Sequence, residues 1–260
     1  MRKFAFDAAY WALSFTYGLL AALSVLIPGR GLTLFFIRRY VRRMVQAMGA
    51  FAGIHIVVQG REHLPQGAFI VASKHQSWGD GFATYNQFDD LAFVTGDHLE
   101  KLPLLAPILH KLGAIVVDSC GGPEARKALS ESAAAAHADG RRILIFPEGH
   151  LAKAGERFKY RSGVFYMYRD FDLPVVPVAT NLGLRWPQQD AIKHPGVATV
   201  EFLDPIPTGL SRGEFLKRLE TAVESRTQEL IAMATGEPVT DSVLVSTPSD
   251  VAKAKDAASA

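Results

Sequence analysis

Cysteine is all but missing from this 260-residue chain: Cys120 stands alone. A single thiol closes no intrachain disulfide, so the fold rests on its core, and a reducing compartment is compatible. No Cys/His spacing suggests a zinc site, and no metal is expected. A Walker loop, a three-glycine dinucleotide fingerprint, a His-Glu-x-x-His helix and a Gly-x-Ser-x-Gly elbow are also absent. Their absence removes the usual nucleotide-binding, zinc-protease and serine-hydrolase readings. There is no excess of one charge: a net +2 is too mild to argue for a nucleic-acid partner. No internal repeat is present. What remains is 48% hydrophobic and 21% charged residues, enough for one large domain with a sizeable core.

The charges are unevenly placed. None falls between Ala8 and Pro28, a length of roughly one bilayer crossing at about 1.5 Å per residue. Ser14, Thr16, Gly18 and Ser24 moderate its hydrophobicity, and Tyr10, Trp11 and Tyr17 suit an interfacial position. No clear Ala-x-Ala site marks a cleaved signal peptide. After the turn signal Pro28-Gly29-Arg30-Gly31, a helix is expected over residues 32–51, with Arg38, Arg39, Arg42 and Arg43 on one basic face. Such a helix can lie among lipid headgroups. Positive charge flanks the first segment on both sides, which favours a hairpin dipping into one leaflet over a single crossing. A hairpin within a soluble core is the alternative. The expected location is the cytoplasmic face of the cell membrane, with membrane lipid as a partner.

After Gly53, short apolar runs alternate with helical stretches. Strands are expected at 54–59, 68–73, 91–94, 114–118, 142–146, 175–179 and 198–202. Pro123 to Asp139 reads as a helix stopped by Gly140, and Ser211 with Glu214 opens another running to about Thr235. The alternation predicts an α/β fold, a central mixed sheet covered by helices, carrying an N-terminal membrane-associated helical segment. The expected organisation is a helical segment at 1–52, a domain at 53–235 and a disordered tail at 236–260.

Two blocks carry chemistry. Lys74-His75-Gln76-Ser77-Trp78-Gly79-Asp80 follows an apolar run, which places His75 near a strand end. An imidazole with a pKa of about 6.5 suits a general base, and a carboxylate on its other nitrogen fixes the tautomer. Alone, the same residues read equally well as a loop histidine and a helix N-cap at Asp80. The second block, Phe146-Pro147-Glu148-Gly149, also ends an apolar run and forces a sharp turn. Glu148 there is either solvated or turned toward a substrate hydroxyl or backbone donors.

In order, His75 to Asp80, Phe146 to Gly149 and Val176-Pro177-Val178-Ala179 resemble the glycerolipid acyltransferase family, whose best-known members acylate 1-acylglycerol 3-phosphate. Lys101-Leu102-Pro103 and residues 113–118 resemble the family's second motif, while Phe158-Lys159 and Ser162-Gly163 resemble the segment after the third. The resemblance covers about residues 54–207, and a membrane-dipping N-terminus is common in the family. It implies direct acyl transfer. His75, oriented by Asp80, takes the proton of an acceptor hydroxyl, which attacks the thioester of acyl-CoA or acyl-acyl carrier protein. No cofactor is required. Glu148 and Gly149 then belong to the acceptor site. Ser77 or Cys120 would serve a covalent route, although Cys120 also reads as a small buried hydrophobe.

Departures from the family pattern touch the acceptor. Leu151 stands where the family has a phosphate-binding arginine, Ser119 where the second motif ends in arginine, and Gly96 and Asp97 about where a lysine pair occurs. Lys153, Arg157, Lys159 and Arg161 follow closely and can supply the cations, Lys159 and Arg161 foremost, or form a solvated loop. His150 takes the place of a threonine. The resemblance still makes the expected acceptor a lysophospholipid, 1-acylglycerol 3-phosphate first, in phospholipid synthesis, with a lysolipid lacking phosphate (a lyso-amino-lipid) or a catalytically inactive membrane-binding homologue as alternatives.

Overall fold

A computed structural model of the chain describes residues 2–117, 123–188 and 192–247. The chain begins with α1 (Arg2–Ser24) and α2 (Gly31–Ala47), followed by a π-turn at Met48–Ala52. Gly53, at φ +72°, takes the left-handed turn that ends it and leads into β1 (Ile54–Gln59). Next come β2 (Ile70–Ser73), α3 (Asp80–Tyr85), β3 (Leu91–Gly96), α4 (Leu105–Leu112), β4 (Ile115–Val117), α5 (Pro123–Ala138) and β5 (Arg142–Ile145). The remainder is β6 (Glu156–Phe158), α6 (Gly163–Asp170), β7 (Val175–Thr180), β8 (Gly196–Phe202), α7 (Arg212–Thr235) and β9 (Val243–Val245).

The seven apolar runs expected as strands form one sheet, in the order β1-β8-β7-β2-β5-β3-β4. Neighbours are parallel except β7 and β8, so the sheet is mixed. Side chains alternate between its faces, as the strand period requires. Phe69, Val71, Leu144, Val176 and Val178 join a core with Met44, Met48 and Ala83 on one side. Ile70, Ala72, Ile143, Ile145 and Val175 join another with Leu129, Phe165, Phe215, Leu219 and Val223 on the other. Helices therefore cover both faces.

The N-terminal segment is a helical hairpin, and no helix among the described residues is long and apolar enough to cross a membrane. Its inner face belongs to the body's core: Phe6 is buried and packs edge-on against Trp186, with centroids 5.1 Å apart. Arg30 makes a bidentate pair with Asp90, which also holds Arg141. Lys193 pairs with Asp7 at 3.1 Å, and Lys111 donates to the carbonyls of Val25 and Ile27. Of the four expected surface arginines, Arg38 pairs with Asp89 and Arg43 donates to Gln46 at 3.0 Å. Arg39, Arg42 and Arg43 are exposed.

The region expected to be disordered from residue 236 onward begins with structure. Gly236 caps α7 at φ +75°, and β9 pairs in parallel with β6 from Glu156↔Val243 to Phe158↔Val245. Unlike the equally short β4, whose apolar run reveals it, β6 carries two charged residues and β9 sits in a small, polar stretch, so neither is visible in the sequence pattern. Cys120, Ser119 and Asp118 lie outside the described residues.

Candidate active site

β2 and β5 are adjacent parallel strands with Ala72 opposite Ile145. Their carboxyl ends therefore deliver the two chemistry-bearing blocks to one edge of the sheet. The His75 Nδ1 atom lies 3.2 Å from Asp80 Oδ2. The same oxygen accepts the backbone N–H groups of Gln76 at 2.6 Å and Ser77 at 2.7 Å. Asp80 is the first residue of α3, and its side chain caps nothing there; Gly79 holds the N-cap position. The carboxylate instead turns back under its own loop, fully buried, while His75 keeps 19% of its side chain exposed. This geometry leaves Nδ1 as the donor, so Nε2 carries the lone pair that can accept a proton.

The second block grips the first. Phe146 stacks on the His75 ring, with 4.0 Å between centroids and 20° between planes. Ala152 donates its N–H to the His75 carbonyl at 2.8 Å. Glu148 Oε1 lies 3.4 Å from the His75 backbone nitrogen, and Oε2 accepts the Phe158 N–H at 2.8 Å. Of the alternatives the sequence leaves open for Glu148, the wholly buried carboxylate takes the bracing of backbone donors. Burial raises its pKa, Lys74 opposes and Glu224 adds to the rise, leaving it at about 7.

Lys74 continues the alternation of β2. Ile70 and Ala72 face α7, so Lys74 does too, and it meets Glu224 there at 2.8 Å. It also donates to Glu148 Oε2 at 3.1 Å and to the Glu156 carbonyl at 3.0 Å. Tyr160 donates its hydroxyl to Glu224 at 3.0 Å, and burial, then the neighbouring carboxylates, push that phenol well above its ordinary pKa. Sequence reasoning missed Lys74, Tyr160 and Glu224. The available signal was a lysine in phase with the buried positions of β2 and a glutamate beside the buried Val223.

Gly149 is exposed at φ +68°, and a Cβ there would stand 2.9 Å from Arg161 Nε. Arg161 reaches this spot because its backbone N–H donates to Pro147 at 2.8 Å; its guanidinium lies 2.9 Å from His150 Nε2. Lys159 is exposed like Arg161, with the buried Tyr160 between them. Arg157 instead pairs with Glu220 and bonds Ser242, away from the blocks. Ser77 is fully buried, and its hydroxyl accepts the Gly79 N–H at 3.0 Å, a turn-forming contact. Among the described residues, no group of three His, Cys, Asp or Glu side chains could hold a metal ion.

The sequence and the fold are similar to those of known proteins. The Acyltransferase family model matches residues 55–181, which contain both blocks. The chain is 30% identical over 190 residues to a 1-acyl-sn-glycerol-3-phosphate acyltransferase of Pseudomonas aeruginosa, covering 73% of this chain and 74% of that protein. It is 26% identical over 158 residues to the enzyme of that name from Limnanthes douglasii, covering 60% of this chain and 56% of the relative. The fold is similar to the crystal structure of the 1-acyl-sn-glycerophosphate acyltransferase PlsC from Thermotoga maritima, with a TM-score of 0.70, 22% identity, and 89% and 98% of the two chains covered. The chain belongs to the glycerolipid acyltransferase family, that of the 1-acylglycerol-3-phosphate O-acyltransferases, and is an acyl-transferring enzyme.

Proposed function

We propose that this enzyme transfers a fatty acyl group from acyl-CoA or acyl-acyl carrier protein to the free hydroxyl of 1-acylglycerol 3-phosphate. The observation that carries the reading is the part-exposed His75 ring with its Nδ1 against buried Asp80. His75 Nε2 takes the hydroxyl proton as the oxygen attacks the thioester carbonyl. The C–S bond then breaks, and the thiolate leaves with the proton from the imidazolium. The buried, loop-bound Ser77 hydroxyl favours this direct route over an acyl-serine. Arg161, beside Gly149, and exposed Lys159 supply cations for the acceptor phosphate in place of the arginine missing at Leu151.

The enzyme works at a membrane surface. Phe4, Trp11, Phe15, Leu19, Leu23 and Leu26 form an exposed apolar stripe on the hairpin, and exposed Arg39, Arg42 and Arg43 suit anionic lipid. The deciding experiment incubates purified full-length protein with labelled acyl-CoA or acyl-acyl carrier protein and a panel of lysolipids. Turnover of the phosphate-bearing acceptor, lost in His75→Ala, supports the reading; equal turnover by His75→Ala sinks the proposed base. The leucine at 151 favours a second acceptor, a lysolipid without phosphate. Turnover confined to that member of the panel would establish it.

A further inference from the structure

Lys74 is a lysine with no exposure at all. An ammonium group buried this way costs several kcal/mol unless it is paired and hydrogen-bonded. Its partners are two carboxylates, Glu148 and Glu224, and one carbonyl, that of Glu156. Apolar side chains of similar volume often stabilise a core as well as such a cluster, so packing alone gives no reason for three ionisable groups here. What the cluster supplies is direction. Glu148 aims one oxygen at the His75 peptide and the other at the Phe158 peptide. The first peptide carries the imidazole, and the second leads to Lys159 and Arg161. Lys74 holds Glu148 in this attitude, and Glu224, itself held by Tyr160, anchors Lys74 from α7.

We propose that Lys74 and Glu224 are positioning residues for acyl transfer: together they hold the Glu148 carboxylate against the His75 peptide, and neither touches substrate. The proposal rests on the reading of His75 as the base. It is tested with purified full-length enzyme carrying ¹⁵N-labelled histidine, as wild type, Glu224→Ala, Glu224→Gln and Tyr160→Phe. Imidazole nitrogen resonances are recorded beside steady-state kinetics with 1-acylglycerol 3-phosphate and both thioester donors.

Glu224→Ala is expected to lower kcat by about 100-fold, the scale of a small misplacement of a reacting group, with KM for both substrates unchanged. Its His75 ring signals spread from a single tautomer to a mixture. Glu224→Gln keeps an acceptor for Lys74 and Tyr160 and recovers most of the loss. Tyr160→Phe, which removes one hydrogen bond, gives a milder form of the same pattern and serves if Glu224→Ala does not fold. Variants that melt lower yet keep wild-type kcat and wild-type His75 signals overturn the proposal. Activity retained by His75→Ala removes the base assignment instead, while the ring signals still decide whether the pair positions the imidazole.

Discussion

The imidazole of His75 lies nearly flat on the ring of Phe146, 4.0 Å away. The two residues follow adjacent parallel strands, and the later one closes over the earlier. With Ala152 on the His75 carbonyl and Glu148 near its N–H, the histidine is gripped at ring and peptide alike. A group confined this way has lost its rotational freedom before substrate arrives, the condition for efficient proton transfer. An aromatic contact of this kind contributes about 1 kcal/mol, so Phe146→Ala should lower kcat by about fivefold. Steady-state kinetics on a variant of unchanged melting temperature checks this.

Asp80→Asn should be far more damaging. One carboxylate oxygen serves the His75 Nδ1 and two backbone N–H groups. An amide preserves the size but loses the charge that fixes the tautomer and stabilises an imidazolium. By analogy with serine-protease triads, kcat should fall by about 10⁴-fold. Near-wild-type turnover in a folded variant would contradict the assignment.

Gly149→Ala tests the link between the turn and Arg161. The left-handed backbone costs an L side chain about 1–2 kcal/mol, and the new methyl would displace the Arg161 side chain. The expected result is a lower melting temperature together with a raised KM for phosphate-bearing acceptors. KM for the thioester donor should stay unchanged.

Two carboxyls should move stability oppositely with pH. Burial alone would raise Asp90, but the guanidinium groups of Arg30 and Arg141 outweigh it and hold its pKa below the ordinary value. Its contribution is present above the unfolded pKa and lost as pH falls through the folded one. Glu148 is raised from 4.5 to about 7. Its contribution is full below the unfolded value and lost as pH rises through the folded one. Denaturant unfolding across this range should show Glu148→Gln flattening the decline between 4.5 and about 7, and Asp90→Asn flattening the acid limb.

The hairpin surface gives a binding prediction. Replacing exposed Trp11 and Phe15 by glutamate should weaken sedimentation with vesicles of any composition. Replacing Arg39 and Arg42 by glutamine should weaken it on phosphatidylglycerol vesicles only, by about 1 kcal/mol per arginine. Undiminished binding by both variants would remove the membrane reading.

Much of the fold is legible in the sequence because its strands are short, buried and rich in Val and Ile. β7 is buried along its whole length, and it reads as an apolar run. α7 announces itself through Ser211, whose hydroxyl accepts the Glu214 N–H, and through Gly236. The placement of β8 antiparallel to β7 is not legible, since strand order depends on contacts between distant segments. The approach of His75 and Asp80 can be read locally, five positions apart. The pairing of Lys74 with Glu224 spans 150 positions, and no local period links them. Nor does proximity in sequence reveal direction: Arg157 stands near Arg161 in the chain yet turns to Glu220.

The ion pairs that fasten the N-terminal hairpin, Asp7 to Lys193 and Arg30 to Asp90, lie near its two ends. With buried Phe6 seated against Trp186 as well, the hairpin is fastened to the body at several points, and the fold sets the separation between the outer stripe of α1 and His75. On the membrane reading proposed above, that separation would set the height of His75 over the lipid. If the proposed membrane seating holds, an acceptor whose hydroxyl stands at that height would reach His75 most readily.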